Sequence, residues 1–303
     1  MRRIAAWLAV LAAALFAVPA LADGTAAQQS EMAAAVAEVT AAVQAGPQKI
    51  AIAGQARLDL PAGYGFVPAG PAGKLLKAMG NRPGDDLAGL ILPAGDGDNW
   101  FMVVRYVASG YIKDDDARDW KADELLTSMR EGTEQGNAER RQRGLPEIEV
   151  VGWVEAPRYE AASHRLVWSV SSRAKGSPAA TDDGINYNTL ALGREGYVSM
   201  NLVTGLKEVE AQKPIARSLL AALEFDDGKR YADFNSSTDK VAEYGLAALV
   251  AGVAAKKLGF FALAAAFLAK FAKIIGIAVI AGGAGLLKLF RRNKGEAADT
   301  DRA

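Results

Sequence analysis

From about Tyr244 to Phe290 the chain is almost entirely Ala, Leu, Val, Ile, Phe and Gly, interrupted by Lys256, Lys257, Lys270, Lys273 and Lys288 and closed by Arg291, Arg292 and Lys294. A hydrocarbon core about 30 Å thick is crossed by roughly 20 apolar residues in a helix. The run therefore predicts that whatever folds ahead of it is tethered to a bilayer. The best single span is 271–290, with Arg291-Arg292-Asn293-Lys294 as a stop-transfer cluster. Lys273 and Lys288 then fall near the two interfaces, where their heads can snorkel to water. The preceding stretch, 241–270, reads as an amphipathic membrane-proximal helix. At about 100° per residue Lys256, Lys270 and Lys288 share one arc, flanked by Lys257 and Lys273. Thr238 or Asp239 is the expected N-cap. A helical hairpin is the alternative; it places Lys256 and Lys257 mid-span, which is costly. The small residues Gly276, Gly282, Gly283 and Gly285 suit association with a membrane protein or a second copy of the chain.

The N-terminus carries a targeting signal of its own. Arg2 and Arg3 precede an apolar run, Ile4 to Val18, and Ala20-Leu21-Ala22 supplies a small-x-small cleavage site. Residues 1–22 thus read as a signal peptide, with Asp23 as the first mature residue. This predicts an extracytoplasmic domain over 23–240 and a cytoplasmic tail over 291–303. The chain has no cysteine. That excludes disulfides, thiol nucleophiles and cysteine-ligated metals, so the exported domain must be held by core packing. Acidic residues exceed basic ones by about eight over 23–255. Such a balance argues against nucleic acid or an anionic lipid surface as a partner of the folded domain, while the basic residues gather where the chain meets the membrane, which suits headgroup contact.

Helical spacing of Met32, Val36, Val39 and Val43 predicts a helix over 27–45, stopped by Gly46-Pro47. Residues 50–60 alternate as a strand, and Leu75, Leu76 and Met79 predict a short helix before Gly80. Gly73-Lys74 is not a phosphate loop, because Pro68 and Leu75 stand where that motif needs Gly and Ser or Thr. Strands are predicted over 87–92 and 99–107. A helix follows from Asp116 or Asp123 to Gln142, with Gly144 and the basic Arg140, Arg141 and Arg143 at its end. Further strands are predicted over 147–155, 164–172, 185–192 and 197–203, the last two joined by Gly193-Arg194-Glu195-Gly196. Pro214 is expected to open a helix running to Leu223. Without βαβ alternation, the fold class is α+β, with a largely antiparallel sheet and flanking helices.

The sharpest local feature is the run Lys113-Asp114-Asp115-Asp116-Ala117-Arg118-Asp119. Asp114, Asp116 and Asp119 offer the oxygens a hard divalent cation prefers, though without the Gly and distal Glu of an EF-hand loop. Acids at a helix start explain the same residues with no ligand. A divalent cation at these three is the only cofactor the chain suggests. Glu134, Asn137, Glu139, Arg140 and Arg141 form a charged helix face that becomes a polar site only if it turns toward the sheet. His164 is the only histidine, and no Gly-x-Ser-x-Gly elbow accompanies it. Ser172–Lys175 and Ser237–Lys240 match a Ser-Lys dyad spacing too short to be informative. Asn186, Tyr187, Asn188, Arg194, Tyr231 and Asp233 could line a groove, or serve as strand and turn residues. No catalytic residue is identified.

These residues also carry a resemblance. Trp100 and the Gly110–Trp120 run are followed by Glu131–Gly144, Gly152-Trp153 with Pro157 and Tyr159, and Asn186-Tyr187-Asn188. Leu192-Gly193-Arg194, Arg230-Tyr231-Ala232-Asp233-Phe234 and Thr238–Gly245 complete the series. In this order they resemble a bacterial family catalogued as domain of unknown function 2167. The resemblance implies a bacterial envelope protein with one ectodomain and a C-terminal membrane segment, and no transferable activity; with the signal peptide and the apolar span, the expected location is the inner membrane. The order of strands and helices also looks like the PsbP/Mog1 type of sandwich, which is fold analogy only. Two functions are open: a binding or scaffolding protein, and a metal-assisted enzyme using the acidic run.

Overall fold

The computed structural model describes residues 26–95, 98–178 and 183–252. The predicted signal peptide, transmembrane span and tail lie outside these residues, as does 253–270 of the predicted membrane-proximal helix. Among the described residues, no helix is long and apolar enough to cross a membrane.

The elements in order are α1 (Ala26–Ala42), β1 (Gln44–Ala45), β2 (Gln48–Ile52), β3 (Ala56–Leu60), β4 (Tyr64–Pro68), α2 (Ala69–Ala78), β5 (Leu87–Pro93) and β6 (Phe101–Val107). A 3-10 turn at Asp115–Arg118 leads to α3 (Ala122–Gln142), β7 (Ile148–Glu160), β8 (Arg165–Ala174), β9 (Gly184–Leu192) and β10 (Tyr197–Gly205). The chain continues through α4 (Val209–Ala221), β11 (Leu223–Phe225), a 3-10 turn at Tyr231–Asp233 and α5 (Leu246–Val250).

Eight strands form one sheet in the order β1-β4-β5-β6-β10-β9-β8-β7, and three form a second in the order β11-β3-β2. Every pairing between named strands is antiparallel. Strand alternation decides what each face of the large sheet buries. Phe66, Ile91, Met102, Val104, Tyr187, Met200 and Leu202 pack against Ile52, Leu58 and Leu60 of the small sheet and Leu219 and Leu220 of α4. Their neighbours Val67, Leu90, Leu92 and Val103 point the other way, onto Met32, Ala35 and Val39 of α1 and Leu75 and Leu76 of α2. Helix α3 packs against β7, the edge strand of the large sheet.

The α+β class and the antiparallel sheet agree with the expectation. Three local readings need correction. Residues 50–60 are not one strand but a hairpin turning at Ala53-Gly54. Pro214 lies inside α4, which begins five residues earlier at Val209. Of the two expected starts of α3, Asp116 and Asp123, the structure takes the later: the helix begins at Ala122. Residues 241–245 are not helical, and neither Thr238 nor Asp239 caps the helix that follows; α5 begins at Leu246 and its cap comes from far away in sequence. The expected stop of α3 holds. Gly144 takes φ +67, and Leu145 N–H reaches back to the Arg140 carbonyl at 2.9 Å, closing the helix by the six-to-one bond of a Schellman end.

Candidate functional site

Antiparallel register brings one end of β6, β10, β9, β8 and β7 together. Val107, Leu192 and Tyr197 are paired neighbours there, followed by Arg165 opposite Ala191 and Glu160 opposite Arg165. The loop 108–121 and the turns 161–164 and 193–196 emerge at this end. The segment 226–245, a strap between β11 and α5, runs across all of them. Gly193 bridges Arg230, and Tyr111 bridges Val241. The second contact is a two-way main-chain pair: Tyr111 N–H donates to the Lys240 carbonyl and Ala242 N–H to the Tyr111 carbonyl, each at 2.8 Å. Gly110 makes the approach possible. It sits at φ +90, and a Cβ there would lie 2.6 Å from the Lys240 carbonyl oxygen.

Side chains fasten the strap further. The Arg194 guanidinium donates to both oxygens of Asp239 at 2.7 and 2.8 Å, and Asn235 N–H donates to the same carboxylate at 2.7 Å. Arg194, helped by that amide, holds the Asp239 carboxyl well below the usual carboxylate range. Four rings stack in a column: Phe234 on Tyr111 at 3.8 Å, Tyr111 on Tyr231 at 4.4 Å, and Tyr231 on His164 at 4.0 Å between centroids. The Tyr231 hydroxyl donates to the Ile112 carbonyl at 2.8 Å.

The column ends in a polar relay. Tyr159 donates its hydroxyl hydrogen to Asp114 Oδ2 at 2.7 Å, and its oxygen lies 3.0 Å from His164 Nδ1. A phenol has one hydrogen to give, so Nδ1 carries the proton of that second bond. Burial, then the Asp114 bond, pushes the Tyr159 phenol far above its ordinary value, so it stays a donor. Burial lowers the His164 pKa, and the pull of Asp114 only partly opposes it. The 3.8 Å approach of His164 to Asp114 is therefore bridged through Tyr159 rather than being a direct ion pair at neutral pH. His164 holds φ +52, a conformation costly for a residue with a Cβ.

The three aspartates proposed from the sequence as metal ligands have separate partners. Asp114 joins the Tyr159–His164 relay. Asp116 accepts from the backbone N–H groups of Leu246 and Ala247, both at 3.0 Å, and so caps α5. Gly245 packs against the Asp116 carboxylate so closely that a Cβ would collide with it. Asp119 is exposed, at the end of the 3-10 turn. Among the described residues, no three His, Asp or Glu side chains converge as a metal cage.

The other candidates also disperse. Asn137 does turn toward the sheet and is fully buried. Its amide donates to the Ile148 carbonyl at 2.9 Å and accepts from Ile148 N–H at 3.0 Å, imitating a further strand at the edge of β7. Lys175 is held by Glu134 at 2.7 Å, which raises its pKa, the opposite of what a Ser-Lys base needs. Ser237 bonds Asn235 at 2.6 Å. Tyr187 faces α4, where its hydroxyl meets Glu155 at 3.1 Å and Arg217 at 3.0 Å; its pKa is pushed up to about 12, mainly by burial. Asn186 and Asn188 point to the opposite face, so the six suggested groove residues line no common groove. Tyr231 and Asp233 belong to the strap, and Arg194 clamps it from the 193–196 turn. Tyr111, Tyr159, Phe234 and Asp239 were not singled out as site residues from the sequence, and no local spacing could have paired partners up to 130 positions apart.

An α+β protein on antiparallel sheets, with a clasp at one sheet end holding its C-terminal strap, is the class these observations define. The chain belongs to the family described as "Protein of unknown function (DUF2167)", whose model matches residues 44–281. The match continues beyond Gly252 into the apolar run. No curated protein matches the chain. Among solved structures it is similar to cyanobacterial PsbP from Synechocystis, with a TM-score of 0.35 and 9% identity over 59% of this chain and 92% of that one. It is also similar to the Ran-binding protein Mog1p of Saccharomyces cerevisiae, with a TM-score of 0.32 and 11% identity over 60% of this chain and 96% of that one.

Proposed function

We propose that the protein is a membrane-anchored binding or scaffolding protein of the bacterial envelope, with its folded domain outside the cytoplasm and a bilayer, a membrane protein or a second copy as partner. One observation carries this reading. The polar and aromatic groups most suggestive of chemistry fasten the segment that leads into the apolar run. Asp116 caps α5, Asp239 is clamped by Arg194, and the Asp114–Tyr159–His164 relay supports the ring that holds the strap. Carboxylates engaged this way hold peptide in place and leave no converging set for a reacting group.

The test is thermal denaturation of the full-length chain in detergent, titrated with calcium, magnesium, manganese and zinc. The binding reading expects no saturable rise in melting temperature from any of the four. A saturable rise that disappears in Asp114→Asn and in Asp119→Asn would replace it with the metal-assisted reading.

A further inference from the structure

We propose that the sheet end carrying the Phe234–Tyr111–Tyr231–His164 column is the face of the domain that rests on the phospholipid bilayer. The inference deepens the membrane-anchored reading and rests on it.

Two observations point to this end. The first is where the domain hands over to the apolar run. The loop 110–116 holds both Val241, through Tyr111, and the start of α5, through Asp116. Five helical residues rise only about 7.5 Å, so Gly252, where the described residues end, lies close to the clasp. The nine residues of β10 put the opposite sheet end roughly 30 Å away. The second is composition. Tyr111, Tyr159 and Tyr244, each partly exposed, lie at this end. Tyrosine, with an apolar ring and a polar tip, is the side chain suited to the headgroup layer. Val241, on the outside of the strap, is one of two exposed large apolar residues among those described, at 38% exposure.

The absence of cysteine makes the test clean. Single-cysteine full-length chains, Val241→Cys and Lys113→Cys at the clasp and Leu206→Cys beyond the far end of β10, are labelled with an environment-sensitive fluorophore. They are then reconstituted into phosphatidylethanolamine–phosphatidylglycerol vesicles containing a headgroup spin-labelled lipid. The proposal expects loss of most fluorescence at 241 and 113 and none at 206. Two positions guard against a label that distorts the strap. Equal quenching at all three sites, or none at 241 and 113 in chains that float with the vesicles, overturns the orientation and leaves the anchoring intact. Crosslinking between copies through 241 without quenching also overturns it, in favour of a homomeric face. Failure of the unlabelled chain to float overturns both readings.

Discussion

Asp116 and Asp119 are three residues apart in one acidic run, yet their surroundings predict opposite sensitivities. Asp116→Ala removes both acceptors from the first turn of α5 and is expected to destabilise the domain by about 1 kcal/mol, the usual worth of a helix cap. Limited proteolysis should then cut within 240–252 before the sheet is attacked. Asp119→Ala should leave the melting temperature and the cleavage pattern unchanged, and equal effects of the two would refute the assignment of the cap. At His164 the folded pKa is lowered by burial. A histidine kept neutral by the fold contributes stability that is complete above its unfolded pKa, near 6.5, and is lost as pH falls through the lower folded value. Charge around it comes from Asp114, with the Tyr159, Tyr231 and Tyr111 hydroxyls un-ionised in this range. His164→Asn keeps a residue tolerant of positive φ. Denaturant midpoints compared between pH 7.5 and 5 should converge for the variant and diverge for the native chain; parallel curves would remove His164 from the pH response.

At the scale of elements, the large sheet has an edge to protect. β7 is 13 residues long, with register shifts along its pairing to β8, and α3 covers its outer side. Asn137 pairs with Ile148 in both directions, and Arg130 donates to the Val150 and Val151 carbonyls at 3.1 and 2.5 Å. A long open edge is a template for intermolecular pairing. Asn137→Leu leaves the Ile148 N–H and carbonyl without partners, at about 1–3 kcal/mol for each buried group. The expected outcome is a lower denaturation midpoint with more aggregation on heating, and an unchanged midpoint would show that the imitation strand is dispensable. The helix was readable in advance because its cap signals are local: basic residues in the last turn and a glycine just beyond. That its polar face would turn inward was not readable, since Asn137 and Ile148 come together only when the chain reverses at Gly144.

For the whole molecule, anchoring makes two linked predictions. Expressed in a bacterial host, the mature chain should begin at Asp23, which intact mass measures directly. It should also stay with the membrane fraction through alkaline carbonate washing. A full-length mass with the leader retained would replace the cleaved signal with an N-terminal anchor, and release by carbonate would contradict the apolar run as a span. Within the domain, the strap ties the two sheets to each other. It leaves the small sheet at β11, is pinned to the large sheet by Arg194 and Tyr111, and ends in α5. Damage to the clasp should therefore be felt at β11 and α5 together, not at one alone.

Hydrophobic period and composition sufficed for the α+β class, for most of the long strands and for the apolar C-terminal run, because each depends on residues a few positions apart. The short strands β1, β4 and β11 escaped notice, β1 within the helix expected over 27–45, and residues 50–60 read as one strand because Gly54 alone is a weak turn signal. The roles of the charged and aromatic residues followed a different logic. Asp116 looks like a cap for the helix just after it and instead caps one that starts 130 residues later. Asp239 looks like that later helix's own cap and instead binds Arg194. A carboxylate accepts from whichever donors the folded chain brings within about 3 Å, and sequence spacing carries no record of which those will be.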